Sequence, residues 1–230
     1  MTDFITLADL DAAALTGLVD ASAAWKAARP HGPAPWLAGR HVAIVMEKAS
    51  TRTRVSFEIA VRELGGHATI LTSDGTQLAR GEPIEDTARV LSRYAHAIVF
   101  RTHGAERMMR MVGAATVPVI NALTDREHPC QVVADLLTIR EHRGELAGAR
   151  VAWIGDGNNM AVSWLHAAGA LGLDLRLACP IGYQPPAHDV DNARAAGATV
   201  TVTDQPAAAV ADADVVMTDV WASMGQEGEA

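Results

Sequence analysis

The sequence predicts an α/β protein with two doubly wound parallel-sheet domains, the second incomplete at the C-terminus. Short apolar runs of strand length alternate with helical patterns along the 230 residues, and this alternation is typical of parallel sheets covered by helices on both faces. The alternation starts again near residue 151, which predicts domains at residues 1–143 and 144–230. The chain stops soon after its last predicted strand, where an open sheet of this class carries a ligand loop.

The first half of the chain predicts a leading helix followed by four strands and four helices. The helix over 7–28 ends before a segment rich in Pro and Gly, which cannot continue it. Continuous apolar runs such as HVAIVM fit buried strands, while Gly65-Gly66 ends one helix and Pro83 opens another. The predicted strands are 41–46, 67–72, 95–100 and 117–123, and the predicted helices are 55–64, 83–94, 105–112 and 132–143.

The second half repeats the pattern with shorter elements. Its apolar and β-branched runs have the length of buried strands, and the segments between them have helical spacing. The predicted strands are 151–154, 173–178, 199–203 and 215–218, and the predicted helices are 160–171, 189–196 and 206–211.

Composition excludes several classes of protein. No apolar run approaches the roughly 18 residues that span a bilayer, and the N-terminus lacks the basic and apolar regions of a signal peptide. Only two cysteines, Cys130 and Cys179, are present, which fits a reducing compartment, so we expect a cytoplasmic protein. The formal net charge of −8 argues against nucleic acid as a partner, because binding it requires positive charge over a wide face.

The densest polar motif is EKASTRTR at residues 47–54, between a predicted strand and a predicted helix. A helix start presents unpaired N–H groups and the positive end of the helix dipole. Three hydroxyls and two guanidiniums added to it suit a compact dianion such as phosphate. The alternative is an ordinary N-cap with solvated arginines, but a cap needs one hydroxyl and this motif has three. Lys48, one of only two lysines beside 17 arginines, lies within the motif.

Other polar residues follow the next predicted strands or lie between them. Arg101 comes directly after strand 95–100, and HPCQ at 128–131 precedes helix 132–143 with Pro129 suited to its first turn. His128 and Gln131 are suitable hydrogen-bond partners for a carbonyl or amide. The alternatives are a surface arginine and a capping or packed histidine, and we expect Cys130 to be a packed residue rather than a nucleophile. The loop holding Gln77 reads equally well as a solvated turn.

In the second domain, two motifs follow strands. GDGNN at 155–159 begins like a dinucleotide-binding fingerprint, but Met160 stands where the third glycine belongs and the supporting acidic residue is missing. Its asparagines instead suit a carboxylate or an amino group. Asp219 follows the last strand and could pair with a ligand ammonium, while the hydroxyl of Ser223 and neighbouring N–H groups could receive a carboxylate. The alternative is an Asp-initiated turn.

Taken together, these motifs resemble those of the ornithine carbamoyltransferases, within the aspartate/ornithine carbamoyltransferase superfamily. EKASTRTRVSFE resembles the carbamoyl-phosphate motif, HPCQ the carbonyl-contacting motif, and GDGNN and DVWASMGQE the ornithine motifs. The motifs occur in the family's order and the similarity covers essentially the whole chain. The Asp followed four residues later by Ser-Met-Gly is typical of the ornithine branch.

The resemblance implies carbamoyl transfer from carbamoyl phosphate to the δ-amine of ornithine, giving citrulline and phosphate, with no metal and no organic cofactor. It implies a homotrimer with sites shared between subunits, in which Gln77 reaches a neighbour's phosphate. It implies that the domain at residues 1–143 binds carbamoyl phosphate and that the domain at residues 144–230 binds ornithine. The implied carbamoyl-phosphate ligands are Ser50, Thr51, Arg52, Thr53, Gln77, Arg101, His128 and Gln131, of which Arg101, His128 and Gln131 are also the implied catalytic residues. The implied ornithine ligands are Asn159, Asp219, Ser223 and Met224.

One departure from the family is large. The family continues past this point with a His-Cys-Leu-Pro loop, a later Arg and a final helix, and Cys179 is wrongly placed to substitute for that loop's cysteine. The sequence is therefore either a fragment, which we favour, or a naturally short protein, and we expect the 230-residue chain alone to be inactive or impaired. The alternatives are a carbamoyltransferase for acetylornithine or a diamine, and a non-catalytic carbamoyl-phosphate-binding fragment. Arginine synthesis and citrulline breakdown are both compatible with these motifs.

Overall fold

The computed structural model describes residues 2–29, 35–73 and 76–219. The chain divides into two compact units: one contains Met1–Ile5 and Ala23–Asp125, the other Thr6–Ser22 and Arg126–Ala230. Each unit is built around one parallel sheet, so the predicted α/β class with two parallel sheets is confirmed. Among the described residues, no helix is both long and apolar enough to cross a bilayer.

The sheet of the first unit has four parallel strands in the order β2-β1-β3-β4. These are β1 (His41–Met46), β2 (His67–Thr72), β3 (Ala97–Arg101) and β4 (Val119–Leu123). The predicted bounds of β1 and β2 are confirmed. Arg101 is the last residue of β3 rather than the residue after it, and the register between β3 and β4 shifts between Phe100 and Arg101.

The two faces of this sheet are buried by different helices. Alternate strand residues point to opposite faces, so neighbouring residues of one strand belong to two core clusters. One cluster contains Ala43, Val45, Ile98, Phe100, Ile84, Ala88, Met108 and Met111, and the other contains Val42, Ile44, Met46, Val99 and Val61. Burying each large apolar side chain contributes about 1.5–3 kcal/mol. Helices on both faces are what the continuous apolar strands predicted.

The helices of the first unit are α2 (Thr51–Glu63), α3 (Ile84–Tyr94) and α4 (Ala105–Ala114), with a short 3-10 helix at Gln77–Arg80. The start of α2 differs from the prediction. It begins at Thr51 instead of residue 55, because Ser50 caps it and accepts a hydrogen bond from the Thr53 N–H. The polar STRTR segment is thus the N-cap and first turn of the helix.

The N-terminal helix is shorter than predicted. The structure has a 3-10 helix at Leu7–Asp9 and then α1 at Ala12–Ala28. The break follows from local polar side chains. The Thr6 hydroxyl caps the 3-10 helix through the Ala8 N–H at 3.0 Å, and the Asp11 carboxylate accepts from the Ala14 N–H at 2.8 Å, so each segment has its own start.

The sheet of the second unit is also parallel, with the order β7-β6-β5-β8. Its strands are β5 (Arg150–Ile154), β6 (Asp174–Ala178), β7 (Thr199–Thr203) and β8 (Val215–Thr218), and its helices are α5 (Pro129–Arg143), α6 (Asn159–Leu171), α7 (Ala187–Ala195) and α8 (Pro206–Val210). Helix α6 is apolar on most of its surface and correspondingly buried, with Trp164 and Leu165 fully inaccessible.

Candidate active site

In each sheet, the predicted motifs follow the strands at which the strand order changes direction. From β1 the chain adds β2 on one side and β3 on the other, and from β5 it adds β6 and later β8 on the opposite side. In open parallel sheets, ligands bind beyond the carboxyl ends of strands at such a reversal. The EKASTRTR segment follows β1 and Arg101 ends β3, while GDGNN follows β5 and Asp219 follows β8.

The start of α2 has the geometry of an anion site. Ser50 is the N-cap, and its Oγ accepts from the Thr53 N–H at 3.3 Å. Thr51, Arg52 and Thr53 form the first turn, where N–H groups point out of the helix along the positive end of its dipole. The predicted phosphate ligands of this segment are therefore brought together.

Arg101 joins this cluster from the neighbouring strand. Its guanidinium is buried, with 3% of the residue exposed, and Nη1 donates to the Thr53 hydroxyl at 3.2 Å. Burial, followed by repulsion from Arg52, lowers the pKa of Arg101. An arginine stays protonated at neutral pH, so a dianion bound at this point would relieve the repulsion between the two cations.

Glu47 connects the loops after β1 and β3. Its backbone N–H donates to the Arg101 carbonyl at 2.9 Å, its carboxylate accepts from Arg107 Nε at 2.7 Å, and the buried Thr102 hydroxyl donates to the same carboxylate. Burial acts to raise the pKa of Glu47, but the hydrogen bonds from Arg107 and Thr102 outweigh it and lower the pKa. Sequence reasoning missed this network because its members lie far apart along the chain.

Gln77 begins the 3-10 helix Gln77–Arg80, and its Oε1 accepts from Arg80 Nη1 at 3.4 Å. Its role toward a neighbouring subunit stays a prediction.

The HPCQ segment opens α5 as its sequence predicted, although the helix begins at Pro129 rather than residue 132. His128 is the N-cap residue, and its backbone N–H donates to the Ser163 hydroxyl at 2.8 Å. Gln131 is exposed, and its side-chain amide donates to Asp135 at 2.9 Å. Burial raises the pKa of the Cys130 thiol to about 12, which fits a packed residue better than a nucleophile.

The GDGNN segment is tied to its surroundings by two side chains. Asn158 caps α6 through the Met160 N–H at 2.9 Å, and its amide donates to the Asp219 carboxylate at 3.1 Å. The carbonyl of Asn159 accepts from the Ser163 hydroxyl at 2.8 Å. Ser163 therefore connects Asn159, the first residue of α6, with His128, and no local sequence motif indicates this connection. The predicted ligands Ser223 and Met224 lie outside the described residues.

Comparison with known proteins identifies the family. Residues 2–141 match the family described as aspartate/ornithine carbamoyltransferase, carbamoyl-P binding domain, and residues 147–230 match the Asp/Orn binding domain of the same family. The chain belongs to the aspartate/ornithine carbamoyltransferases.

Individual members of the family place the chain nearer the ornithine branch. It is 49% identical to an ornithine carbamoyltransferase from Geobacter sulfurreducens over 98% of this chain and 75% of that protein. It is 53% identical to one from Acidothermus cellulolyticus over 98% of this chain and 73% of that protein. The resemblance to the ornithine carbamoyltransferases is thereby confirmed.

Solved structures agree with these sequence matches. The ornithine carbamoyltransferase from Pyrococcus furiosus superposes with a TM-score of 0.93 and 44% identity, covering all of this chain and 75% of that one. The anabolic enzyme from Campylobacter jejuni superposes with a TM-score of 0.92 and 38% identity, covering 99% of this chain and 76% of that one. This chain thus spans about three quarters of the length of these relatives.

Proposed function

We propose that this carbamoyltransferase chain transfers the carbamoyl group of carbamoyl phosphate to the δ-amine of ornithine, giving citrulline and phosphate. The observation that carries the proposal is the cluster of hydroxyl, guanidinium and helix-start N–H groups at the reversal point of the first sheet, where buried Arg101 donates to Thr53 at the capped start of α2. Membership of the family supports the same reaction.

The proposed chemistry depends on stabilising the leaving group and on proximity. The amine nitrogen bonds to the carbonyl carbon, the bond from that carbon to the phosphate oxygen breaks, and the departing phosphate takes the proton that the amine loses. Cations beside the phosphate stabilise the charge that grows on it as it leaves, and donors to the carbonyl oxygen polarise the reacting carbon. Holding a neutral amine against that carbon supplies the rest, so no covalent nucleophile is needed.

The proposed roles of individual residues follow the chemistry of their side chains. The phosphate is held by Ser50, Thr51, Arg52, Thr53 and Arg101, and by Gln77 of a neighbouring subunit in a homotrimer. His128 and Gln131 bind the carbamoyl group, with Arg101 contacting both phosphate and carbonyl. Asn159, Asp219, Ser223 and Met224 hold the α-amino and α-carboxylate groups of ornithine. The exposed Asp219 carboxylate, hydrogen-bonded to Asn158 at 3.1 Å, suits an α-ammonium.

We place the protein in the cytoplasm, in keeping with its two free cysteines.

A colorimetric citrulline assay combined with calorimetric titration of carbamoyl phosphate tests the proposal. The acceptors compared are ornithine, N-acetylornithine and putrescine at equal concentration. We expect saturable carbamoyl-phosphate binding and transfer to ornithine in preference to the other two amines. Faster transfer to N-acetylornithine or putrescine would favour a relative with another acceptor. Binding of carbamoyl phosphate without any ornithine-dependent product would fit both a non-catalytic role and the inactivity expected of the 230-residue chain alone.

A further inference from the structure

Lys48 has a partner in the structure that its sequence context did not reveal. It is the second residue after β1 and lies two residues before the N-cap of α2, and its side chain is only 10% exposed. Its Nζ lies 2.7 Å from Oδ1 of Asp125, a residue 77 positions later that follows β4. A largely buried ammonium needs such a partner, because an unpaired charge in that position costs several kcal/mol.

The same carboxylate also binds a third loop. Oδ2 of Asp125 accepts from the Gly104 N–H at 2.9 Å, and Gly104 is the N-cap residue of α4, three residues after Arg101. Its φ of 74° is in the region that favours glycine. One carboxylate therefore joins the connections that follow β1, β3 and β4, all at the carboxyl edge of one parallel sheet.

Two of these three connections, those after β1 and β3, carry the proposed phosphate-binding groups. The β1 connection holds Ser50 and Thr53, and Arg101 stands at the start of the β3 connection. The 3.2 Å hydrogen bond between Arg101 and Thr53 depends on the spacing of these two connections. A shift of either one would separate groups that must contact the same phosphate.

We propose that Asp125 and Lys48 are positioning residues that hold the β1 and β3 connections at the spacing required to bind the phosphate of carbamoyl phosphate. The inference rests on the proposed function, which requires a phosphate at this point. Neither residue contacts the substrate in this proposal. Both act through the groups they fix.

The electrostatics of the cluster agree with this role. Burial acts to raise the pKa of Asp125, but the Lys48 hydrogen bond and charge and the Gly104 N–H outweigh it and lower the pKa. The carboxylate therefore stays charged at neutral pH and keeps both contacts. A fully exposed pair would contribute about 0–1 kcal/mol. This pair lies between that case and a buried pair, because the Lys48 side chain is 10% exposed and the Asp125 side chain is 50% exposed.

The test compares four variants in calorimetric titrations of the whole chain with carbamoyl phosphate and with inorganic phosphate. Asp125→Asn replaces the charged acceptor of the Gly104 N–H with a neutral and weaker one, and Lys48→Met removes the other partner. We expect both to weaken binding about tenfold, the size of one lost charged hydrogen bond. Lys48→Arg keeps the charge and should bind within about threefold of the unmodified chain.

Glu85→Gln is the matched control, because it removes an ion pair with Arg110 (2.6 Å) between α3 and α4, away from these connections. We expect its affinity for both ligands to equal that of the unmodified chain. Melting temperatures are measured for all variants, and hydrogen exchange of the Gly104 amide should rise in Asp125→Asn and Lys48→Met but not in Glu85→Gln.

Unchanged phosphate affinity in Asp125→Asn and Lys48→Met would overturn the inference and leave the proposed function intact. The inference would also be overturned if Glu85→Gln lost as much phosphate affinity as the other variants for the same fall in melting temperature. Such a result would indicate general destabilisation. Failure of the unmodified chain to bind carbamoyl phosphate would count against the proposed function itself, and this inference would fall with it.

Discussion

Arg52 and Arg101 are two cations at the start of α2 that differ in their exposure to solvent. Arg101 is 3% exposed and held against Thr53, whereas Arg52 is exposed on the first turn of α2. A fixed, buried guanidinium supplies a preorganised charge, and an exposed one can follow an incoming ligand. Two arginines near a helix start can together grip several oxygens of one phosphate. The pair is thus suited to a dianion that arrives, reacts and leaves.

The exposed arginine provides the simplest test at this scale. We expect Arg52→Ala to weaken carbamoyl-phosphate binding at least about tenfold, because each charged hydrogen bond contributes about 1.5–3 kcal/mol. Binding of norvaline, an ornithine analogue without the δ-amine, should change far less. Isothermal calorimetry measures both affinities.

Arg62→Ala is the control for Arg52→Ala, since Arg62 lies in the last turn of the same helix, 69% exposed and paired with Glu58. Its loss should leave carbamoyl-phosphate binding unchanged. Equal affinity in Arg52→Ala and the unmodified chain would remove Arg52 from the phosphate site.

At the scale of elements, strands were predicted more accurately than helix starts. The bounds of β1, β2, β7 and β8 agree with the prediction residue for residue, because short runs of apolar and β-branched residues define strands locally. The starts of α2 and α5 were placed three or four residues late. The first turn of α2 is polar and α5 begins with Pro129, Cys130 and Gln131, so the apolar run that predicts each helix starts three or four residues after the helix itself.

Features that depend on distant residues were not predictable from patterns. The register shift beside Arg101 depends on how two strands pair, and such irregularities often lie next to functional side chains. The contact of Lys48 with Asp125 joins residues 77 positions apart. The composition drew attention to Lys48, but nothing in the sequence identified its partner.

The start of α5 and the first turns of α6 are joined through Ser163. Its hydroxyl accepts from the His128 N–H and donates to the Asn159 carbonyl, both at 2.8 Å, and the residue is fully buried. We expect Ser163→Ala to lower the free energy of unfolding by about 1–3 kcal/mol, because the His128 N–H loses its acceptor at a fully buried position that water does not reach. Urea denaturation measures the change.

Ser92 is a matched comparison for Ser163. Its hydroxyl also donates to a helix carbonyl, at 2.7 Å, and accepts a backbone N–H, at 3.0 Å, but it is partly exposed. Water can replace it, so Ser92→Ala should cost less than Ser163→Ala. A larger loss in Ser92→Ala would contradict the importance assigned to burial.

The edge strand β8 is attached at its start by an ion pair that titrates in acid. Asp214 accepts from the Arg150 N–H at 2.9 Å and from Arg150 Nη2 at 3.0 Å, and these contacts lower its pKa to about 2. A lowered folded-state pKa stabilises the fold above the unfolded value of 3.8, and the contribution disappears as the pH falls toward about 2.

Asp214→Asn should therefore lower the melting temperature at pH 7 and cease to do so near pH 2. Thermal unfolding between pH 7 and pH 2 measures the difference. Asp191→Asn serves as the control, because Asp191 is 73% exposed and only loosely paired with Arg194 at 3.5 Å. If Asp214→Asn lowered the melting temperature by the same amount at every pH in this range, the charge of Asp214 would not be responsible.

For the whole molecule, the sequence motifs and the sheet topology point to the same places. Each of the two sheets reverses its strand order once, and each reversal lies where a polar motif follows the strands. The motifs were recognisable because helix starts and strand ends place ligand groups within a few consecutive residues. A group contributed by another subunit would carry no such local signature, and Gln77 was predicted as a site residue only from the family resemblance.

A subunit-mixing experiment tests whether Gln77 acts across a trimer. We expect the unmodified chain to sediment with three times the mass of one chain, and Gln77→Ala and Arg52→Ala each to bind carbamoyl phosphate weakly. In trimers made by coexpressing the two variants, about a quarter of the sites should combine an intact Gln77 with an intact Arg52 and regain normal affinity.

Coexpression of Arg52→Ala with Arg101→Met is the control and should restore no site. Arg101 contacts Thr53 within one chain, and Thr53 lies in the same helical turn as Arg52. Equal recovery in both mixtures would contradict a Gln77 shared between subunits, and a monomeric chain would exclude it.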